Sequence, residues 1–196
     1  MLKKWGLPSA LIACLGFSSQ AAAFALAPGS LEINLNNESI QFEYDRPVSG
    51  ANNLHVNAGI LYTEQHDQDS ATVATAGFQG VETDNSTYRA AVGLRLYGYS
   101  APHSASGVAL AFGGLFYHVL PGASHISLGG YGFVAPQVTS FGDTEYLYEA
   151  GARLAYRVIQ NTDIFIGYRY LHLKNDDKGF NDAIEDGVNL GFRVNF

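Results

Sequence analysis

From Tyr88 onward this chain places six arginines on one parity. Arg89, Arg95, Arg153, Arg157, Arg169 and Arg193 all fall on odd positions, in stretches whose even positions are mostly Val, Leu, Ile, Phe, Tyr and Ala. Successive side chains of a strand point to opposite faces, so the six guanidiniums share a side. Glu145, Glu149 and Asp163 lie on the same side, and the positions among them are small: Ala91, Gly93, Ala109, Ala111, Gly113, Gly151 and Ala155. A planar guanidinium can make paired bonds to a carboxylate, chemistry suited to a confined, partly wet space. A face bathed in bulk water would carry lysines, yet after Lys4 only Lys174 and Lys178 remain. The pattern predicts a lumen lined by these nine residues, in which mixed charge either selects solutes or pairs up and closes the passage.

Other constellations carry less. His55, His66, His103, His118, His125 and His172 show no i, i+2 or i, i+4 spacing for a shared metal, so neither a metal site nor a cofactor is expected. Asp176, Asp177, Asp182, Glu185 and Asp186 offer oxygens to divalent cations, but they read first as a solvated acidic loop. The segment Arg169-Tyr170-Leu171-His172-Leu173-Lys174-Asn175 resembles the strand of lipid A 3-O-deacylases that carries a His, one residue, then the nucleophilic Ser. Lys174 stands where that Ser would be. Lysine cannot form the ester intermediate with a histidine base, so no catalytic residue is assigned and the chain is expected not to be an enzyme. Lipid modification at His172 is kept as an alternative.

These side chains need strands to hold them. The 196 residues are one domain's worth, and 47% hydrophobic against 15% charged excludes disorder. Lys3 and Lys4, the apolar run Leu7 to Phe17 and Ala21-Ala22-Ala23 form a secretory signal peptide over residues 1–23, cut after Ala23. Cleavage removes the only Cys and the only Trp, Cys14 and Trp5. Leu11-Ile12-Ala13-Cys14 also resembles a lipobox, which would make Cys14 a lipidated N-terminus. Beyond Ala23 no run of about 18 apolar residues offers a membrane helix.

Over residues 24–196, period-two alternation marks strands near Leu31–Leu35, Ile40–Asp45, Leu54–Thr63, Thr72–Val81, Tyr88–Leu96, Val108–Phe116, Ile126–Phe133, Tyr146–Tyr156, Ile164–Tyr170 and Val188–Phe196. Parity switches at Asn36-Asn37, and a register shift at Gly129-Gly130 predicts a bulge that keeps Tyr131 and Phe133 on the apolar face. The expected fold is all-β, a transmembrane antiparallel up-and-down barrel, with ten strands favoured and eight as the alternative. Counted back from the C-terminus, turn-rich gaps alternate between long and short, as extracellular loops and periplasmic turns do.

A soluble periplasmic barrel that binds a ligand would alternate too, with the apolar face inward. The arginine face argues for the reverse arrangement, with Tyr and Phe near strand ends as interfacial girdles. The last strand, Asn189-Leu190-Gly191-Phe192-Arg193-Val194-Asn195-Phe196, resembles the signal read by the β-barrel assembly machinery. Its likeness rests on Asn189, Gly191, Val194 and Phe196. A net charge of −7 without clustered Lys or Arg excludes a nucleic-acid footprint. The expected surroundings are outer-membrane lipids and lipopolysaccharide, the chain is expected to be a monomer, and small polar solutes are possible cargo.

Tyr148-Glu149-Ala150-Gly151-Ala152-Arg153, Gly167-Tyr168-Arg169-Tyr170 with Leu173, Asn181-Asp182-Ala183-Ile184 with Asp186-Gly187, and the terminal Phe196 resemble the YfaZ-like family of small bacterial outer-membrane proteins. The resemblance implies a signal-bearing, porin-type barrel and carries over no substrate and no catalytic residue.

Overall fold

The computed structural model describes residues 29–196 except 52, 65–69, 85–86, 103–104 and 176–180. The signal segment with Cys14 lies outside the described residues, as do His66, His103, Asp176, Asp177 and Lys178. Among the described residues no helix is long and apolar enough to cross a membrane.

Among the described residues eleven strands form in chain order: β1 Ser30–Leu35, β2 Ser39–Pro47, β3 Leu54–Glu64, β4 Ser70–Asp84, β5 Tyr88–Ala101, β6 Ala105–Val119, β7 Ile126–Ala135, β8 Ser140–Gly142, β9 Thr144–Ile159, β10 Thr162–Asn175 and β11 Asn181–Asn195. All neighbours are antiparallel, and β1 pairs β11 to close the sheet on itself. The wall has ten staves, because β8 continues the line of β7. β6 pairs β7 from Phe112 to Val119 and β8 from Gly107 to Ala109, with Pro136 and a 3-10 turn at Gln137–Thr139 between. Proline cannot donate to the ladder, and this stave breaks where one occurs.

Ten strands form because Asn36-Asn37 makes a true hairpin. Asn36 N–H donates to the Ser39 carbonyl at 3.0 Å, and the Asn36 side chain accepts from the backbone N–H groups of Glu38 and Ser39 at 2.7 and 2.6 Å. The resulting β1 is only six residues long, so the seam with β11 has six paired residues while β9 and β10 share fourteen.

Two expectations fail. Gaps do not alternate in length: residues 48–53, 85–87, 120–125 and 160–161 connect strands at one end, and 36–38, 65–69, 102–104, 143 and 176–180 at the other. Strands run further than the alternation showed, so Glu185 and Asp186 belong to β11 rather than to a loop. Nor does β7 bulge. It pairs without a shift against both β6 and β9, and Phe133 is buried inside with Tyr131 packed beside the core. A real shift occurs between Leu171 and His172 on β10, opposite Ala183 and Glu185, and it turns both Ile184 and Glu185 inward.

The barrel is apolar outside. Among the described residues 29 large apolar side chains are exposed, including Phe42, Ile60, Phe78, Val92, Phe112, Phe116, Leu154, Ile164, Ile166, Val188 and Leu190. Aromatic pairs gather at the termini end, Tyr44 with Phe196, Tyr88 with Phe116 and His125 with Tyr156. A second cluster of Tyr146, Tyr148, Tyr170 and His172 lies toward the opposite end of β9 and β10.

Candidate functional site

The interior divides along the barrel axis into three zones. Toward the end far from the termini, Leu61, Val73, Tyr97, Tyr99, Ala101, Ala105, Ala109, Leu147, Leu171, Leu173 and Ile184 form one buried apolar cluster. Tyr97, Ala105, Ala109, Leu147 and Leu173 have no exposed surface. The strand alternation hides this plug, because its leucines sit on the same odd parity as the arginines and the strands there are apolar on both faces.

Below the plug lies a belt of ion pairs that reaches across the bore. Arg95 on β5 donates to Glu43 on β2 at 2.8 Å and to Glu149 on β9 at 3.5 Å. Glu149 also accepts from Tyr97 at 2.5 Å and Tyr131 at 3.1 Å, and lies 3.5 Å from Arg169. Arg169 donates to Tyr131 at 3.0 Å, to Glu185 at 3.2 Å and to Gln41. Glu185 in turn accepts from Asn36 at 3.1 Å and Ser39 at 3.0 Å. A second node centres on Glu32, one oxygen of which takes Arg153 at 2.8 Å and Arg193 at 2.6 Å. Burying a charge is costly unless it is paired and bonded, and every buried arginine here meets a carboxylate.

Aromatic rings complete the belt, and glycines make room for them. Phe133 lies opposite Gly113, Tyr117 opposite Gly129, Tyr131 opposite Gly151 and Phe165 opposite Gly191. A Cβ on Gly191 would stand 2.3 Å from the Phe165 ring, and one on Gly151 would stand 2.5 Å from Tyr131. Each ring thus lies flat over a cross-strand glycine and offers its face to a guanidinium. Arg95 sits 4.6 Å from the Phe133 centroid and Arg153 sits 4.5 Å from that of Phe165. Such stacking adds about 2 kcal/mol or less per pair in a desolvated site.

The third zone is a vestibule at the termini end. Arg157 donates to Asp163 at 3.2 Å, His55 meets Asp45 at 2.7 Å, and Arg89 lies 4.0 Å from the same Asp45 oxygen.

All six odd-parity arginines, with Glu149 and Asp163, are therefore brought to the interior. Glu145 is not among them: it pairs with Lys174 at 2.6 Å near the far end, away from the belt. Sequence reasoning left out Glu32, Gln41, Glu43, Asp45 and Glu185. The first four stood on the polar side of β1 and β2, whose parity was legible. His172 packs among tyrosine rings on the outer wall, and Lys174 is engaged by Glu145. Among the described residues no three His, Cys, Asp or Glu side chains converge as a metal site.

Asn189, Gly191, Val194 and Phe196 lie on or just past the closing strand. Asn189 is buried inside, Phe196 stacks on Tyr44, and Phe196 N–H donates to the Gly29 carbonyl at 3.0 Å.

No curated protein matches this chain. A bacterial polysaccharide outer membrane secretin resembles it with 12% identity and a TM-score of 0.46, over 81% of this chain and 56% of that one. A chain solved in work on the in-meso crystallization of membrane proteins resembles it with 13% identity and a TM-score of 0.39, over 86% of this chain and 83% of the other. The family described as YfaZ precursor matches residues 9–196, nearly the whole sequence, and this closed ten-staved barrel belongs to it.

Proposed function

We propose that this chain is a barrel of the bacterial outer membrane whose bore is sealed, and that it acts as a stable wall element rather than an open diffusion porin. The observation that carries the membrane half is the inverted distribution of side chains. Exposing a large apolar side chain to water forfeits roughly 1.5–3 kcal/mol, a loss repeated over a continuous surface and avoided in lipid. Strands of 11 to 15 residues, as in β3 to β6, suffice for the ~9–11 residues that a tilted spanning strand needs. The two aromatic clusters fit interfacial girdles. An even number of staves returns both ends of the chain to one side, the periplasmic side for a protein assembled from within.

The sealed half rests on the belt and the plug, which together fill the section of the barrel that a solute would have to cross. In this reading His172 is an interfacial ring and not a base, lipids and lipopolysaccharide surround the wall, and the closing strand is what the assembly machinery reads. Planar-bilayer recording of the refolded mature chain tests it. Silence across the voltage range is the expected result, and steady unitary conductance would restore the porin reading.

A further inference from the structure

Between β7 and β8 the chain leaves the plane of the wall. β6 pairs Val134 at Phe112 and Ser140 at Ala109, so residues 110–111 of β6 face the longer stretch 135–139. The extra chain is pushed outward, where the 3-10 turn gathers it. Its polar groups close on themselves. The Pro136 carbonyl accepts the Thr139 N–H at 2.9 Å, the Thr139 hydroxyl at 3.1 Å and the Ser140 hydroxyl at 3.0 Å. The Gln137 carbonyl accepts the Ser140 N–H, and Pro136 has no N–H of its own.

What the turn presents outward is apolar. Val138 keeps 85% of its surface open, more than any other large apolar side chain described, and Phe141 keeps 63%. Ala135 stands opposite Leu147, and β9 starts at Thr144 directly after β8, so the turn lies beside the part of β9 that carries Tyr146. It is therefore level with the far aromatic cluster. The wall leading to it is continuously apolar: Val134 pairs Phe112, Phe141 pairs Val108, and all four are exposed. No charged residue occurs from Ala135 to Gly142, whereas the far-end connections 36–38, 65–69 and 176–180 each contain Asp or Glu. A turn whose backbone is bonded internally loses little by leaving water, and its two apolar side chains gain by doing so.

We propose that this turn is a lipid-inserting knob. Val138 and Phe141 lie among the upper acyl chains of the outer leaflet, level with the tyrosines, and hold the β7–β9 side of the barrel at a fixed depth. This inference rests on the membrane reading above and adds to it one particular contact. A protein seated on the knob would exclude lipid as well as water, and quenching tells the two apart.

The only cysteine of the chain, Cys14, lies in the signal segment, so Val138→Cys gives the mature barrel one site for an environment-sensitive fluorophore. The labelled barrel is refolded into phosphatidylcholine nanodiscs, which leave both faces open to solution. Quenchers are aqueous iodide and lipids bearing a nitroxide either near the headgroup or deep in the chain. Gln160→Cys, on an exposed near-end turn, is the aqueous reference, and Ile166→Cys, between the two aromatic clusters on β10, is the lipid reference. Iodide quenching at Val138 is expected to be at least about threefold weaker than at Gln160, with the shallow nitroxide quenching more than the deep one and the reverse order at Ile166. Iodide reaching Val138 as readily as Gln160 would overturn the knob. Protection from iodide without quenching by either nitroxide lipid would overturn it too, since protein would then cover the site. Iodide reaching Ile166 would sink the membrane reading itself, and the knob with it. Heat-modifiable migration shows which variants are folded, and Phe141→Cys replaces Val138→Cys if that one is not.

Discussion

Two carboxylates hold most of the interior charge, and each serves two arginines. Glu149 answers Arg95 and Arg169, and Glu32 answers Arg153 and Arg193. Removing such a partner leaves guanidiniums buried beside one another, so Glu149→Gln is expected to lower the unfolding free energy by about 3–5 kcal/mol. Lys174→Ala, which breaks the more exposed pair with Glu145, should cost about 1 kcal/mol or less. Urea titration of the two refolded variants, followed by heat-modifiable migration, compares them, and equal losses would contradict a structural belt. Single residues were legible to different degrees. Parity alone placed Arg95, Arg153 and Arg169, because a guanidinium on a strand's polar side has one place to go. Tyr131 and Phe133 were misplaced because Gly129 and Gly130 give no side chain from which to count a face. Their rings turn inward because β7 keeps the parity of buried Ser127 without a shift, and Arg95 and Arg153 stack on ring faces there.

At the level of elements, the glycine and aromatic pairs across neighbouring strands explain why the closing strand carries Gly191. A side chain at that position would strike Phe165 and the Ile33 carbonyl, the latter at 2.5 Å. Gly191→Ala should therefore destabilise the barrel by about 1–3 kcal/mol, the range for overpacking. Gly98→Ala, where a Cβ meets nothing within 4 Å, should be neutral within about 0.5 kcal/mol. The same urea titration decides, and an unaffected Gly191→Ala would remove the packing account. Strand positions were legible because outward-facing and inward-facing residues alternate with period two. Strand ends were not, because in the far half Leu171, Leu173 and Ile184 are apolar and inward. Alternation fades there, and a stretch such as Asn181–Gly187 reads as loop. The plug went unseen for the same reason.

For the whole molecule, plug and belt are two barriers in series, and the proposed seal is assigned mainly to the plug because, apart from the Tyr97 and Tyr99 hydroxyls, its side chains are hydrocarbon. Leu147→Ala with Leu173→Ala opens space beside Tyr97 and Tyr99 at a cost of about 2–5 kcal/mol for each leucine. The pair should introduce brief conductance steps into an otherwise silent barrel, seen by planar-bilayer recording. Continued silence in a folded double variant would move the seal to the arginines. The fold class followed from the sequence because alternation, a closing aromatic strand and inward arginines agreed, while the filled bore depends on contacts between strands far apart in the chain. One feature of the wall reaches beyond the bore. The joint between first and last strands is held by six residue pairs, yet side chains cross it from both sides: Glu32 of β1 grips Arg193 of β11, and Glu185 of β11 grips Asn36 and Ser39 at the first hairpin. The carboxylates that fill the interior thus also serve as clasps, so the same side chains that close the bore hold the ends of the wall together.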